Sequence, residues 1–198
     1  MSGVARRVAA LGLLGLAAAF AVPPAGVAAL TAPLSAADVE QALQTGTKSV
    51  TEEEFGEEWR VRLPGGEEIQ VTTPFSRLAH AARRAALRQE PLTDKQRQEQ
   101  VDRGKDRIQF LVTMYGRAVD FPRFYQPVLR VGDREVKASF TQNERTALRL
   151  PDGRFAARNV YAFPLEGVPS RGTVTLVVRS SVDNKEVLRA SVDLSKMR

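Results

Sequence analysis

Hydrophobic and polar residues alternate with the two-residue period of a β-strand over much of the chain, and turn residues separate the alternating runs. The clearest early case begins with Trp59, Val61 and Leu63, which are separated by arginines. The turn sequence PGGEE follows, and Ile69 and Val71 then resume the alternation. This pattern predicts a β-hairpin with one buried face.

A longer series of strands is predicted from residue 107 onward. The run RIQFLVTMY is almost continuously apolar, which suits a strand that is covered on both faces. Three hairpins are predicted after it, namely PVLRV with REVKASFT, TALRL with RFAARNVYAFPL, and TVTLVVRSS with EVLRASVDL. Short strands at near-even spacing predict an α+β, mostly β fold with an antiparallel Ig-like β-sandwich in the C-terminal half, from about residue 121 to 194. An N-terminal hairpin and a helical insertion precede the sandwich, which resembles the modules of many exported bacterial proteins in fold alone.

Two helices are predicted in the N-terminal half. Ser35 opens the capping pattern SAAD, and the sequence TGT at 45–47 predicts the end of that helix. Thr73 is a second N-cap, because Pro74 follows at the first helical position, where its missing N–H costs nothing. This second helix is predicted to continue to about Gln89.

A third helix signal is weaker. Thr93 with Gln96 three residues later is a capping pattern, but Val101 is the only apolar residue of the following DKQRQEQVDRGKDR, and Gly104 weakens the helix further. A helix that is polar nearly all round is either exposed or poorly formed. We therefore interpret residues 90–106 as a surface excursion that joins two parts of the fold.

The helix that begins at Pro74 has two contrasting sides. One side carries the apolar residues Phe75, Leu78, Ala79, Ala82, Ala85 and Ala86. The other side carries Arg77, His80, Arg83, Arg84 and Arg88. Because the apolar side is mostly alanine, we expect it to lie close against a sheet. We expect the arginines to face outward, with the acidic loop or strand approach TEEEFGEE (51–58) as their partner.

The first residues have the pattern of a signal peptide, residues 1–29. Arg6 and Arg7 precede an apolar run, and prolines and small residues follow it, so the mature chain is predicted to start near Leu30. Cleavage after Ala21 and an uncleaved N-terminal membrane anchor are the alternatives. The predicted location is periplasmic or extracellular, with no stable membrane span in the mature chain once the signal is cleaved.

The rest of the chain is divided into three predicted segments. They are an N-terminal helix with the acidic segment (30–57), a stretch with the hairpin, basic helix, polar excursion and first long strand (58–116), and the β-sandwich module (117–198). The chain has no cysteine, which excludes disulfides, thiolate metal sites and lipid attachment to a cysteine. A mature chain of this size can bury enough surface to fold without such links.

Charge is unevenly distributed, although the whole chain carries only +6. Residues 30–70 contain 3 basic and 9 acidic residues, whereas residues 71–150 contain 16 basic and 9 acidic residues. This distribution favours an acidic N-terminal segment that lies against a basic body. The modest net charge of an exported chain argues against nucleic acid as a partner.

His80 is the only histidine, and Ser76 precedes it by one helical turn, so a Ser-His pair is possible by spacing. A serine within a helix lacks the strained turn and the oxyanion donors of serine nucleophiles, so we predict no catalytic residue and a structural or surface role for His80. One histidine and no cysteine leave only carboxylates for a metal, and the acidic run lacks a calcium-loop pattern. No glycine-rich phosphate loop occurs either. We therefore predict no metal site and no cofactor.

The segment YGRAVDFPRFYQP (115–127) is the most unusual stretch by composition, and it is a predicted loop between strands. Aromatic rings flanked by arginines can grip a sugar ring, a peptide or another protein. The alternative is that Phe121 and Phe124 plug the end of the sandwich. The binding candidates are the aromatic and arginine side chains of this segment and the arginines of the basic helix, namely Tyr115, Arg117, Phe121, Arg123, Phe124, Tyr125, Arg77, Arg83, Arg84 and Arg88.

These patterns lead to one functional hypothesis and one alternative. The first is a soluble exported envelope protein without enzymatic activity, which binds a protein or a cell-wall polymer through the aromatic loop or the basic helix. The alternative is an exported hydrolase or transferase whose acidic residues assemble only in the fold.

Overall fold

The computed structural model describes Leu30 and residues 32–198. The predicted signal peptide, residues 1–29, lies outside the described residues. Within the described part of the chain, no helix is long and apolar enough to cross a membrane. The described chain is α+β, with most of its regular structure in two antiparallel sheets.

The described residues form three α-helices, α1 (Ala36–Lys48), α2 (Pro74–Leu87) and α3 (Asp94–Gly104). They also form ten strands, β1 (Arg60–Arg62), β2 (Glu68–Thr72), β3 (Arg107–Gly116), β4 (Tyr125–Val131), β5 (Arg134–Lys137), β6 (Phe140–Gln142), β7 (Leu148–Arg149), β8 (Phe155–Pro164), β9 (Thr173–Ser180) and β10 (Glu186–Asp193). Short 3-10 helices lie at Ser49–Thr51, Glu57–Trp59 and Leu194–Lys196.

The two sheets share a single hydrophobic core. The first sheet has the strand order β1-β2-β3-β8-β6, with β7 also paired to β8, and the second has the order β10-β9-β4-β5. Alternate side chains of β3 and β9 are buried in this core, namely Ile108, Phe110, Val112, Met114, Val174, Leu176 and Val178. The residues between them in β3 are half-buried, so burial alternates along this strand although its sequence is almost continuously apolar.

The predicted hairpins are confirmed as antiparallel pairs. In the first hairpin Val61 lies opposite Ile69, and in the last hairpin Ala190 lies opposite Leu176. The run predicted as one long strand, REVKASFT, is instead divided between the sheets. β5 pairs with β4 in the second sheet, whereas β6 pairs with β8 in the first, where Ser139 N–H donates to the Ala162 carbonyl at 2.8 Å. An alternating pattern does not record which neighbour a strand will pair with, so the sequence did not show this change of sheet.

Helix α1 is longer than predicted. The TGT sequence at 45–47 does not end the helix, which continues to Lys48. Gly46 is buried where α1 crosses α2, and an added Cβ would collide with the Ala79 carbonyl group and with the Ala82 side chain. Gly46 thus permits close contact between two helices, and it is not a helix stop.

Helix α2 lies at the centre of the helical layer. Its alanine side packs mainly against α1, through Ala79 and Ala82 on Gly46, where a sheet was predicted. The opposite side, which was predicted to face outward, instead turns Arg77 and His80 towards β2 and β3. Helix α3 is fully formed, and its Thr93 N-cap is satisfied in both directions by Gln96. Although α3 is mostly exposed, Gly104 is buried against Pro74 and Arg77. The contact is close, since an added Cβ would lie 3.2 Å from the Pro74 Cα.

Candidate functional site

The aromatic segment 115–127 connects β3 to β4, and it separates into an inward and an outward part. Tyr115 lies in β3 and Tyr125 lies in β4, so the true loop spans only 117–124. Phe121 turns inward, where its ring lies directly over Gly116 and meets the Tyr125 ring edge to face, with 6.0 Å between centroids. Burial raises the pKa of Tyr125, and the charge of Asp183 raises it further. These two rings close the end of the core.

Phe124 turns outward and is 53% exposed. The Arg123 guanidinium lies over its ring, with the guanidinium carbon 5.4 Å from the ring centroid. The backbone beneath them is held firmly, since Ser181 N–H donates to the Phe124 carbonyl at 2.8 Å and Tyr125 N–H donates to the Pro122 carbonyl at 3.1 Å. The loop therefore presents one exposed aromatic ring and one arginine on an ordered backbone.

Two neighbouring loops join this surface. Ser181 links Phe124 to the β9–β10 turn, which carries Val182, and Ala147 N–H donates to the Val119 carbonyl at 2.7 Å, which places the start of β7 beside the loop. Four large apolar residues are exposed on these three adjoining segments, namely Val119 (43%), Phe124 (53%), Leu148 (69%) and Val182 (77%). We call Arg123 with these four residues the loop-end surface. Val119, Leu148 and Val182 were not among the predicted candidates. Val119 lies in the aromatic segment but is aliphatic, whereas Leu148 and Val182 lie on segments that only the fold brings beside it.

Tyr115 and Arg117, the remaining candidates of the segment, are not part of the loop-end surface. Tyr115 carries the guanidinium of Arg154 over its ring at 5.0 Å, so its arginine partner comes from the β7–β8 turn and not from the aromatic loop. Arg117 is exposed at the start of the loop.

The arginines of α2 have separate surroundings. Arg83 donates from Nη2 to the Glu52 carbonyl at 2.7 Å, and its guanidinium lies 4.6 Å from the Phe55 ring centroid. The acidic run therefore does fold against the helix, but a main-chain oxygen and an aromatic ring make the contact in place of the expected carboxylates. Arg88 is exposed at the end of the helix, and Arg77 and Arg84 line a small cavity.

The carboxylates of the acidic run have other partners. Glu57 forms ion pairs with Arg60 at 2.9 Å and with Arg62 at 2.7 Å, and both arginines lie in β1. Within residues 32–198 no ion pair joins the run 51–58 to the arginines of α2, and no group of three or more potential metal ligands is present.

His80, predicted to have a structural or surface role, lies in a cluster of aromatic rings. Its ring packs against Phe55 and Trp59, at centroid distances of 5.0 and 5.1 Å, and its Nε2 is buried without a hydrogen-bond partner among the described residues. Burial, followed by the charges of Arg84, Arg83 and Arg60, lowers the pKa of His80 to about 4. Ser76 takes part in the cap of α2 and bonds with Thr73, so no Ser-His pair forms.

Comparison with known proteins gives no functional guide. No protein-family model matches the chain, and no curated protein matches it. Among solved structures, the chain is similar to a protein of unknown function from Burkholderia pseudomallei, with 10% sequence identity and a TM-score of 0.39, over 85% of this chain and 92% of that chain. A similarity at this level carries no argument about fold or function.

Proposed function

We propose that the protein is an exported binding module of the cell envelope without enzymatic activity, and that it binds its partner through the loop-end surface. The single observation that carries this proposal is the exposed Phe124 ring under the Arg123 guanidinium, on a backbone that the hydrogen bond from Ser181 N–H to the Phe124 carbonyl holds in place. Exposed aromatic and arginine side chains contribute strongly to protein interfaces when a partner desolvates them.

The composition of the surface favours a protein partner over a cell-wall polymer. A sugar chain is gripped by several aromatic faces, whereas the loop-end surface has one exposed ring and three aliphatic residues, Val119, Leu148 and Val182. Aliphatic side chains around an aromatic anchor fit the apolar centre of a protein interface. The Ig-like topology predicted for the C-terminal half stays part of this proposal, and the coarser feature behind it is the pair of antiparallel sheets that share one core.

The first test is to replace Phe124 with alanine and to measure binding to a partner captured by cross-linking from envelope extract. We expect a loss of affinity of about 10-fold or more, with an unchanged melting temperature, because the Phe124 side chain is exposed in the unbound protein. Arg123→Ala is expected to weaken binding in the same direction. Leu87→Ala is the matched control, since Leu87 is 55% exposed on α2, outside the loop-end surface.

The same experiment separates the binding role from a packing role. Phe121→Ala removes the inward ring and is expected to lower the free energy of unfolding by about 1–3 kcal/mol. Equal capture of the Phe124→Ala variant and the parent, at both low and high salt, would contradict the proposal. Binding to purified cell wall in place of protein would contradict the choice of partner class.

The alternative function is that of an exported hydrolase or transferase. A groove of about 510 Å³ between α1, α2 and the segment before α3 has Glu40 and Glu90 on its walls, and it is the place where such chemistry would be sought. Both glutamates are exposed, and the other walls of the groove are mostly apolar. We favour binding because the groove lacks the enclosed setting that tunes a catalytic carboxylate.

A further inference from the structure

A small polar cavity lies between α2, α3 and the face of the first sheet that is turned away from the core. Its volume is about 210 Å³. The strands contribute Gln70, Thr72, Gln109 and Leu111, and the helices contribute Arg77, His80, Arg84 and Gln100. Gln70 lies opposite Leu111 and Thr72 lies opposite Gln109 in the β2–β3 register, so these four residues share one face of the sheet.

Among the described residues, the walls of this cavity carry basic side chains and no carboxylate. Arg77 is half-buried, and burial lowers its pKa, with further lowering by the charges of Arg103, Arg107 and Arg84. The charges that act on His80 also come from arginines alone. Positive charge is therefore concentrated here without the acidic partner that usually compensates a partly buried guanidinium.

The hydrogen-bonding capacity of Arg77 is also unfilled. Its Nη2 donates to Gln109 Oε1 at 3.3 Å, which is a long hydrogen bond, and its Nε is buried without any acceptor in residues 32–198. A buried donor without an acceptor is costly, and most buried polar groups in proteins are paired. A negatively charged acceptor would accept a hydrogen bond from this donor and would also compensate the positive charge of the surrounding arginines.

We infer that this cavity binds an oxyanion, either a carboxylate or a phosphate group of a small ligand, held by Arg77 and Arg84. The amides of Gln70, Gln100 and Gln109 and the Thr72 hydroxyl supply further hydrogen bonds to the same group. The volume is below the roughly 300 Å³ at which pockets for drug-sized ligands begin, so the ligand is a small one. The site is separate from the loop-end surface, and neither proposal depends on the other.

The test is a titration of the whole protein with phosphate and, separately, with acetate, at constant ionic strength set with chloride. We expect one of the two anions to saturate, to raise the melting temperature and to shift the NMR resonance of the Arg77 Nε–H group. Saturation by phosphate alone assigns the phosphate class, and saturation by acetate alone assigns the carboxylate class. If neither anion saturates, the inference is overturned, and the parent protein alone is enough to show this.

A pair of variants then tests the assignment to Arg77. Arg77→Gln is expected to weaken anion binding by about 10-fold or more, because it removes a charge-assisted donor. Arg171→Gln is the control, because this substitution also removes one positive charge, and Arg171 is exposed in the turn before β9, outside the cavity. Without anion, Arg77→Gln should melt no lower than the parent, because the unpaired guanidinium costs solvation. Equal weakening by both variants would show only nonspecific attraction, and it would overturn the inference.

Discussion

His80 illustrates how burial decides the chemistry of a single residue. The ring packs against Phe55 and Trp59, and Gly56 leaves room for it, because an added Cβ at Gly56 would lie 3.2 Å from the ring. The arginines around it oppose a second positive charge. The fold therefore holds His80 as a neutral side chain that packs like an aromatic ring.

Between pH 6.5 and about 4, the free energy of unfolding is expected to change with pH because of the titration of His80. The unfolded chain takes up the proton near pH 6.5, whereas the folded protein resists it until the lowered pKa of about 4, so the unfolded state binds more protons in this window. The contribution of neutral His80 is fully present above pH 6.5 and is lost as the pH falls towards 4. The loss is less than about 3 kcal/mol, because the ring is partly solvated.

Chemical denaturation at several pH values checks this expectation. His80→Asn is expected to be less stable at every pH, because ring packing is lost, but the difference from the parent should shrink as the pH falls from 6.5 to 4. A constant difference across that range would show that the imidazole titrates normally in the fold.

At the scale of elements, local signals were reliable and long-range ones were absent. The Thr73 cap, the Thr93 cap and the antiparallel pairing of the hairpins are encoded within a few residues and are present in the structure, although the strand REVKASFT divides between the sheets. Gly46 was misjudged because its reason is contact with a second helix, which a local pattern does not contain. The candidate site shows the same limit. Phe124 was found from composition, but Leu148 and Val182 join it only through the fold.

The contact between α1 and α2 gives a test of the packing of alanines. Both alanines border the groove of about 510 Å³, but Ala82 is buried in contact with Gly46, whereas Ala86 is only partly buried. Ala82→Leu is expected to overpack the contact and to lower the free energy of unfolding by about 1–3 kcal/mol. Ala86→Leu is the matched control and should change stability by less than about 0.5 kcal/mol.

Urea denaturation of the two variants measures both values. Similar midpoints for Ala82→Leu and the parent would show that the helices separate easily, and that Gly46 is not needed for their close approach.

At the scale of the whole molecule, Arg198 joins the helical layer to the strands. Its main-chain carbonyl accepts hydrogen bonds from Trp59 Nε1 at 2.8 Å and from Thr73 Oγ1 at 2.9 Å. Its guanidinium donates to Gln41 Oε1 at 2.6 Å and lies 4.5 Å from the Phe75 ring centroid. This single residue, five positions beyond the end of β10, thus contacts α1, the 3-10 helix before β1 and the start of α2.

Loss of the Arg198 side chain should therefore weaken the whole fold and not only its end. Arg198→Ala removes the Phe75 and Gln41 contacts and the 3.3 Å ion pair with Asp38, and we expect it to lower the free energy of unfolding by about 1–2 kcal/mol. Lys196→Ala is the control, because that side chain is 79% exposed and should change stability by less than about 0.5 kcal/mol. Hydrogen exchange locates the effect, since faster exchange in α1 as well as β10 is expected if Arg198 couples the two layers. Faster exchange confined to the residues after β10 would show that the helical layer is held by its own contacts with the first sheet.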